Sequence, residues 1–401
     1  MFKKLLPLFC FFLLNTTLYA QYIPISEDSE ISILTVGPGE ALYDKFGHSA
    51  FRVKDNTLGY DIVYNYGTYD FETPNFYTKF AQGKLLYELS FYNYEQFLAS
   101  YKRQNRWIKE QVLELSLSDK EAVFNFLQNN AKDENKAYKY DFFFDNCATR
   151  MRDVLKEVLG DRLQYNDSFV EEQYTFRELI QKNVHCNSWG SLGMDVATGA
   201  VTDRDATAWQ YQFLPNYVYQ AATTATLDAN GKTQPLVKET NFLFKNNPVT
   251  HRSNYLLSPL FIFSVISIWV LWITFRDLKR ETRSRFLDAG LLFITGVVGI
   301  ILALLWFATD HSATANNYNL LWAFPFSILV TAAIAKRNPK AWVSRYIIFL
   351  LLLFLLLTIH WITGVQEFAI GLLPLFMALA IRYIYVVYYL KRKTSLVVSR
   401  K

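Results

Sequence analysis

The stretch "YDFFFDNCATRMRDVLKEVLG", residues 140–160, predicts a helix that starts beside a cysteine. Apolar residues recur at helical spacing from Met151 onward, and Gly160 supplies a stop signal. Asp145 is the expected N-cap. Cys147 would then lie in the first helical turn, where free backbone N–H groups and the helix dipole favour a thiolate. A cysteine in this position is a nucleophile, half of a disulfide or a small core residue.

Residues 1–20 have the features of a secretory signal peptide: two lysines, an apolar run and a small residue, Ala20, at the end. An uncleaved anchor is the alternative. Cys10 follows bulky Phe9 inside the apolar run, which does not fit a lipobox, and we expect it to be lost with the signal. The chain after Ala20 is therefore predicted to lie outside the cytoplasm.

Apolar runs of bilayer-spanning length begin near residue 256 and continue to residue 390. Each has about the length that a transmembrane helix needs, although Pro325 breaks the third. The sequence therefore predicts an all-α, five-helix transmembrane domain over residues 256–390. Its spans are expected at 256–275, 289–308, 319–335, 346–362 and 366–390.

Lysine and arginine are concentrated in two of the loops between these spans and in the tail, residues 391–401. The other two loops, "TDHSATANNYN" and "HWITGVQEF", contain neither residue. The positive-inside rule places the basic loops and the tail in the cytoplasm and the N-terminal domain outside. These loops account for the formal net charge of +5, and no basic stripe interleaved with aromatic residues indicates a nucleic-acid partner.

Residues 21–227 are long enough for one extracytoplasmic domain with a sizeable core. Several segments alternate like strands, and "SDKEAVFNFLQNNA" is predicted to be a helix, so we expect an α+β domain. Residues 228–255, with "DANGKTQP" and "KNNPVTHRSN", are predicted to be a partly extended linker to the membrane.

Cys147 needs a base if it is to act as a nucleophile. Of the five histidines, His48 is the best placed, because it begins the strand-like segment "HSAFRVKD" directly after Gly47. The others adjoin a second cysteine, sit in the predicted linker or lie at the outer ends of membrane spans; they are His185, His251, His311 and His360. A single histidine on a strand is more often a hydrogen-bonded structural residue, and spacing alone favours that interpretation of His48 over a catalytic one.

A disulfide between Cys147 and Cys186 is a rival interpretation. With Cys10 gone, these two are the only cysteines in an oxidising compartment, and an even count invites pairing. Simple packing of Cys147 in the core is the third interpretation. The residues themselves leave all three open.

The order of the histidine and cysteine motifs resembles that of a circularly permuted papain-like (NlpC-type) domain. "FGHSAFRV" precedes "DNCATRMRD" by about a hundred residues, and lecithin:retinol acyltransferase shares this order and the asparagine–cysteine pair. Over nearly its whole length, the chain resembles the Lnb-type lipoprotein N-acyltransferases of bacteria. The further segments that carry this resemblance are "YNYGTYDF", "LGMDVATGAVTDR", "FLPNYV" and "TDHSATANNYNLLW".

The resemblance implies a reaction as well as a fold. An acyl chain would pass from a phospholipid, through a thioester on Cys147, to the α-amine of the lipidated N-terminal cysteine of a lipoprotein. His48 would be the base. Asn65, Tyr64 and Asn146 are candidates for orienting that base or lining the site. This chemistry requires no metal and no soluble cofactor.

The same resemblance implies where lipid meets the site. Arg150 and Arg152, one turn from Cys147, are candidates for contact with lipid, and so are Asp310 and His311, at a membrane edge where charge is costly. The expected partners are a phospholipid acyl donor, a diacylated lipoprotein acceptor and the bacterial inner membrane. The N-terminal domain would lie in the periplasm.

Two alternatives come from other functional classes. A membrane-anchored cysteine peptidase or amidase acting on cell-wall peptide would keep the Cys147–His48 pair but should have a polar cleft. A non-catalytic envelope assembly factor would be held together by a Cys147–Cys186 disulfide. Dependence on phospholipid separates the first alternative from acyl transfer, and the thiol state of Cys147 separates the second.

Overall fold

The computed structural model of the chain describes residues 22–247 and 255–398. The predicted signal peptide, residues 1–20, lies outside the described residues, as do residues 248–254 of the predicted linker and 399–401 of the tail. The N-terminal part of the described chain forms an α+β domain, and the C-terminal part forms a bundle of helices.

The α+β domain is built on an antiparallel sheet of seven strands. The strands of this domain, in chain order, are β1 Glu30–Val36, β2 His48–Asp55, β3 Tyr60–Thr68, β4 Leu86–Asn93, β5 Ile108–Leu113, β6 Ala137–Lys139, β7 Leu163–Gln164, β8 Thr226–Ala229, β9 Lys232–Pro235 and β10 Val237–Phe244. The large sheet has the order β10-β5-β1-β2-β3-β4-β6, and β7, β8 and β9 form a separate small sheet. β2, which begins at His48, is therefore the central strand of the large sheet.

Helices cover both faces of this sheet. In chain order they are α1 Phe76–Ala81, α2 Tyr94–Arg103, α3 Leu117–Asn130, α4 Cys147–Leu159, α5 Phe176–Gln181, α6 Trp189–Ala197, α7 Ala208–Tyr211 and α8 Pro215–Thr224. On one face, Phe51 and Tyr64 meet Met151 of α4 in the main core. On the other face, Phe97 of α2 packs with Ala50. The α+β class is confirmed, and the circularly permuted papain-like arrangement within that class stays a prediction.

The start of α4 differs by one residue from the prediction. Asn146, not Asp145, is the N-cap, and its Oδ1 accepts hydrogen bonds from the backbone N–H of Ala148 (2.8 Å) and Thr149 (2.9 Å). Both residue types make good caps, but Asn146 has the extended backbone that a cap requires, with a φ of −129°. Gly160 ends the helix with a φ of +61°, as its stop signal predicted.

The segment predicted as a linker over residues 228–255 belongs in large part to the sheets. β8 and β9 form a hairpin whose turn residues, Asn230 and Gly231, both have positive φ (56° and 81°). "DANGKTQP" is therefore an asparagine–glycine turn between two strands rather than a linker. β10 then pairs with β5 at the edge of the large sheet. The connection to the membrane domain is confined to residues between Phe244 and Tyr255.

Four helices in the described residues are long and apolar enough to cross a bilayer. The helices of the membrane domain are α9 Pro259–Lys279, α10 Arg285–Phe307, α11 Ser327–Ile334, α12 Ala341–Ile362 and α13 Leu373–Val398. α11 has eight residues. It is therefore about 12 Å long, whereas the hydrocarbon core of a bilayer is roughly 30 Å thick. The described residues thus contain four long helices and one short one, where the sequence predicted five full-length spans.

Pro325 and two glycines account for the short helix. Pro325 cannot continue a helix from the preceding 3₁₀ turn, Tyr318–Leu321, into α11. Gly296 and Gly299 of α10 let this segment approach closely, since a Cβ on Gly299 would lie 2.0 Å from the carbonyl oxygen of Ala323. α11 therefore packs directly against α10.

A buried arginine ties three of the membrane helices together. Arg382 of α13 is fully buried and donates hydrogen bonds to Asp277 of α9 (2.9 Å) and Asp288 of α10 (2.7 Å). Arg283 also pairs with Asp288, at 3.3 Å. Buried charges are costly unless they are paired, so this network fixes the helix ends that lie beside the basic loop between α9 and α10.

The α+β domain rests on the loop between α10 and α11 through main-chain hydrogen bonds. The N–H groups of Gly199 and Ala200 donate to the carbonyl oxygens of Ala313 (2.9 Å) and Asn316 (3.0 Å). A Cβ on Gly199 would lie 1.9 Å from the carbonyl oxygen of Ala315, so only glycine fits there. The loop "TDHSATANNYN" thus lies directly against the α+β domain.

Candidate active site

Cys147 and His48 meet where the first turn of α4 contacts the start of the central strand. The two side chains form a hydrogen bond. Gly67, at the bulged end of β3, has a φ of +92°, and a Cβ there would lie 3.6 Å from the Cβ of Cys147. The structure therefore brings together the predicted nucleophile and its predicted base, whose catalytic roles stay predictions.

The electrostatics of this pair favour a thiolate and an imidazolium. Burial raises the pKa of Cys147, but the charge and hydrogen bond of His48 and two backbone N–H groups outweigh it, so the pKa falls below the usual 9.0. Burial lowers the pKa of His48, but the charge and hydrogen bond of Cys147 outweigh it, so the pKa rises above the usual 6.5. Both shifts come chiefly from the mutual attraction of the charged forms. A thiolate is the nucleophilic form of cysteine.

Asn65 holds the second ring nitrogen of His48. Nε2 of His48 donates to Oδ1 of Asn65, and Nδ2 of Asn65 donates to the hydroxyl of Tyr92 at 2.7 Å. The imidazole also stacks on Tyr101, with the ring centroids 6.1 Å apart. Because Nε2 carries the proton that Asn65 accepts, Nδ1 is the nitrogen left to exchange a proton with Cys147.

Backbone N–H groups surround the sulfur. The N–H groups of Ser49 and of Cys147 itself hydrogen-bond to the Cys147 side chain. Asn146 lies beside them, but its amide is fully used as a cap, since Nδ2 donates to the carbonyl oxygens of Phe142 (2.7 Å) and Phe213 (2.9 Å). Asn146 therefore shapes the start of α4. The N–H groups of Ser49 and Cys147 are the donors that a developing oxyanion can use.

A cavity of about 640 Å³ opens beside this pair. His48, Asn65 and Cys147 all line it, and its volume lies in the usual range of small-molecule sites, roughly 300–1,000 Å³. Much of the remaining wall is aromatic and includes Phe46, Tyr69, Phe71, Phe80, Tyr87 and Phe142. Cys147 thus faces a largely apolar cavity.

The membrane domain closes one side of this cavity. Asp310 and His311, both predicted as contact residues, line it. Asp310 pairs with Lys139 at 2.7 Å, and Nε2 of His311 lies 3.2 Å from the carbonyl oxygen of Phe80. A loop between two membrane helices is therefore part of the wall of a cavity in the α+β domain.

Tyr64 and Arg150 lie away from the cavity. Tyr64 neighbours Asn65 on β3 and so points to the opposite face of the sheet, where its ring packs on Phe124 in the main core. Arg150 pairs with Asp145 at 2.7 Å. Neither Tyr64 nor Arg150 lines the cavity, so the structure does not bring them to the Cys147–His48 pair.

The functional groups at this site are a thiol, an imidazole and an amide. Among the described residues, no group of three or more His, Cys, Asp or Glu side chains is arranged to hold a metal ion. Cys147 and Cys186 are both free thiols, and Cys186 is exposed. The arrangement can support nucleophilic acyl transfer, because a thiol, a base and a group that orients the base lie in contact.

Two family models match the chain. The model of the Lnb N-terminal periplasmic domain matches residues 23–182, and the model of the Lnb transmembrane domain matches residues 251–394. Together they cover about three quarters of the chain. The chain belongs to the Lnb family. Neither the curated proteins nor the solved structures that we compared with it give a match.

Membership of the Lnb family confirms the resemblance that the motif order indicated. The protein is a multi-pass membrane protein with a periplasmic N-terminal domain, in agreement with the orientation that the loop charges predicted. The match to the periplasmic domain includes both His48 and Cys147, and the match to the transmembrane domain includes Asp310 and His311.

Three residues of this Lnb-family site were not found from the sequence: Tyr92, Tyr101 and Arg106. The two tyrosines contact Asn65 and His48, and Arg106 lines the cavity. They belong to β4, α2 and the turn before β5, and only the pairing of the strands brings these elements to the site. No local sequence signal marks any of the three.

Proposed function

We propose that this protein is a lipoprotein N-acyltransferase of the bacterial inner membrane. It moves an acyl chain from a phospholipid, through a thioester on Cys147, to the α-amine of the lipidated N-terminal cysteine of a lipoprotein. Membership of the Lnb family supports this proposal. The observation that carries it is the hydrogen-bonded Cys147–His48 pair at a cavity that a membrane loop closes.

In the first half-reaction, the Cys147 thiolate attacks an ester carbonyl of the phospholipid and a C–S bond forms. The electron pair that moves onto the carbonyl oxygen is stabilised by the N–H groups of Ser49 and Cys147. The ester C–O bond then breaks, and the leaving oxygen takes a proton from the imidazolium of His48. The products are a lysophospholipid and an acyl thioester on Cys147.

In the second half-reaction, the neutral α-amine of the lipoprotein attacks the thioester carbonyl and a C–N bond forms. His48, now neutral, takes the proton that the amine loses. The C–S bond breaks and Cys147 leaves as a thiolate. The thiolate–imidazolium pair of the resting enzyme is thereby restored.

The aromatic lining of the cavity suits an acyl chain better than a cell-wall peptide, for which a polar cleft was expected. The segment between β3 and β4 carries exposed rings beside the side that the membrane loop closes: Tyr77 is 80% exposed, Phe71 66% and Phe80 53%. Tyrosine is typical of the membrane interface, where one end of its side chain is apolar and the other wet. An acyl chain can follow these rings from the bilayer to Cys147.

Intact-mass measurement on the full-length protein tests the proposal. Incubation with phosphatidylglycerol alone should release lysophospholipid and add the mass of one acyl chain to the protein. Neutral hydroxylamine should remove that mass, as it removes a thioester, and Cys147→Ala should never acquire it. A diacylated lipopeptide with a free α-amine should then discharge the acyl-enzyme and become N-acylated.

The controls separate the other functional classes. An N-acetylated lipopeptide should accept no acyl chain, because it has no free amine. A peptidase would show no dependence on phospholipid, and an assembly factor would acquire no covalent mass. N-acylation of the lipopeptide by Cys147→Ala at the wild-type rate would overturn the proposal.

A further inference from the structure

Arg106 is a buried cation at the wall of the cavity that contains Cys147. The residue is 3% exposed, and it lines the same cavity as His48 and Asn65. Of the described residues that line this cavity, Arg106 is the only arginine or lysine. Arg106 is therefore the one permanent positive charge of the described cavity wall that could bind an anionic group.

One nitrogen of the Arg106 guanidinium is left without a partner. Nε donates to the carbonyl oxygen of Gly37 (2.8 Å), and Nη1 donates to Asp44 (2.7 Å) and Gln104 (3.1 Å). Nη2 has no hydrogen-bond partner in the part of the chain that the structure describes. Buried donors are nearly always paired because an unpaired one costs free energy, so the unpaired N–H group of a residue that lines the cavity points to an acceptor that the described residues do not supply.

Arg106 lies on the His48 side of the cavity. Its Cζ lies over the ring of Tyr101, 4.9 Å from the ring centroid. The same ring stacks on His48, with centroids 6.1 Å apart. One aromatic ring therefore separates the guanidinium from the imidazole, and a ligand group held by Arg106 would lie close to the carbonyl that Cys147 attacks.

We propose that Arg106 binds the phosphodiester of the acyl-donor lipid. This assignment rests on the proposed function, in which the donor is a phospholipid. A phosphodiester oxygen is an anionic acceptor, and the planar guanidinium donates N–H groups to such oxygens better than an ammonium does. Asp44 pairs with Nη1, and Nη2 has no hydrogen-bond partner among the described residues. One cavity then holds both the phosphodiester and the ester of the same lipid.

The arginines of α4, which the sequence made candidates for lipid contact, are already occupied. Arg150 pairs with Asp145, and Arg152 pairs with Asp153 at 2.8 Å. Neither arginine lines the cavity. Within the cavity wall, the role that the sequence assigned to these two arginines therefore falls to Arg106.

Single-turnover acylation of Cys147 tests this assignment with two donors that differ only in the headgroup. The donors are phosphatidylglycerol and a diacylglycerol with the same acyl chains, each in nonionic detergent micelles with the full-length protein. Wild type should be acylated faster by phosphatidylglycerol, by roughly 10- to 100-fold, the range of a charge-assisted hydrogen bond. Arg106→Gln should lose that preference, so that the ratio of its rates with the two donors falls to about one. Arg106→Lys keeps the charge but not the planar guanidinium, so its preference for phosphatidylglycerol should lie between those of wild type and Arg106→Gln.

Arg103→Gln is the matched control. Arg103 carries the same charge three residues away, is exposed and does not line the cavity. This variant should behave like wild type with both donors. The diacylglycerol rate of Arg106→Gln reports whether its site is still folded, because that reaction uses Cys147 and His48 without the phosphate.

Two outcomes overturn the assignment. Equal slowing of both donors by Arg106→Gln would make Arg106 a support of the fold only. Equal wild-type rates with the two donors would mean that no phosphodiester is recognised. Failure of wild type to form a thioester with either donor would be different, because it would overturn the proposed function itself.

Discussion

Oδ1 of Asn65 accepts a hydrogen bond from Nε2 of His48, and this contact leaves Nδ1 as the ring nitrogen that can exchange a proton with Cys147. Asn65 is itself held by the hydroxyl of Tyr92 at 2.7 Å. In its neutral form, His48 is therefore fixed with the proton on Nε2, and Nδ1 is free to take a proton from the thiol or the substrate amine. The orientation of the base is set before any substrate binds.

Replacing Asn65 should slow the reaction without removing the nucleophile. We expect Asn65→Ala to lower the rate of lysophospholipid release by about 100-fold, because a misplaced base costs roughly that factor. Tyr64→Phe is the matched control, since Tyr64 is the next residue on β3 but lies in the core on the opposite face. A wild-type rate in Asn65→Ala would show that His48 needs no partner at Nε2.

The lowered pKa of Cys147 should appear in its alkylation by iodoacetamide. The thiolate is the reactive form, so the rate should stay high as the pH falls below 9.0 and should drop only at the lowered pKa. The protein used should carry Cys186→Ala, because Cys186 is an exposed thiol and would also react. His48→Ala should move the inflection to higher pH, because it removes the charge and the hydrogen bond that oppose the effect of burial.

His185→Ala serves as the control in that titration, since His185 is exposed and distant in sequence from Cys147.

The pH profile of turnover should have two limbs. It should fall in acid as the thiolate is protonated, and it should fall in alkali, above the raised pKa of His48, as the imidazolium that protonates the leaving oxygen is lost. An unchanged alkylation profile in His48→Ala would contradict the ion pair.

Cys186 should be dispensable. Cys147 and Cys186 are both free, and a disulfide between them would consume the proposed nucleophile. Cys186→Ala should therefore keep the wild-type rate of N-acylation and the wild-type thermal stability. Non-reducing peptide mapping of active protein checks the same point, and a stable Cys147–Cys186 disulfide in that material would end the mechanism.

His311 should affect turnover more than stability. Its ring lies beside the carbonyl oxygen of Phe80 at the cavity wall, and we expect His311→Ala to lower turnover by roughly 2- to 10-fold, the effect of one hydrogen bond. The melting temperature of the α+β domain should change little. Asp310→Asn provides a comparison, because its pair with Lys139 is exposed and is screened by solvent. Wild-type turnover in His311→Ala would make this part of the loop a passive wall.

Gly199 should be intolerant of any side chain. A Cβ on Gly199 would meet the carbonyl oxygen of Ala315, so Gly199→Ala should destabilise the contact between the domains by about 1–3 kcal/mol or more. The cavity wall that the loop supplies would shift, and turnover should fall while alkylation of Cys147 continues. Gly193→Ala is the matched control, because its Cβ would meet nothing within 4 Å and alanine favours the helix. Thermal unfolding in detergent measures both variants.

The sequence predicts the parts of this site that are close together along the chain. Cys147 at a helix start is visible from helical spacing, a cap and a glycine stop. The choice between Tyr64 and Asn65 is different, because neighbours on a strand point to opposite faces. Because side chains alternate along a strand, only one of the two can face the site. The register with β2 and the position of α4 determine that this residue is Asn65.

Contacts between distant segments explain what the sequence did not predict. Arg106 reaches the cavity because β5 pairs with β1, which in turn pairs with β2. The β8–β9 hairpin was predicted as part of a linker because its turn, Asn230 and Gly231, is as polar as a linker would be. The short helix α11 departs from a full span because Pro325 interrupts it and Gly299 allows a close contact with α10.

The main-chain hydrogen bonds of Gly199 and Ala200 to the membrane loop fix the position of the α+β domain relative to the membrane helices. Such bonds carry no net charge, so salt screens them less than it screens the Lys139–Asp310 pair at the same contact. In the proposed acceptor, the α-amine and the thioether-linked lipid belong to a single residue, which sets the amine at one height as well. Under the proposed function, the enzyme would recognise the lipid anchor of the acceptor and not the polypeptide that follows it, so it would modify lipoproteins whose later sequences are unrelated.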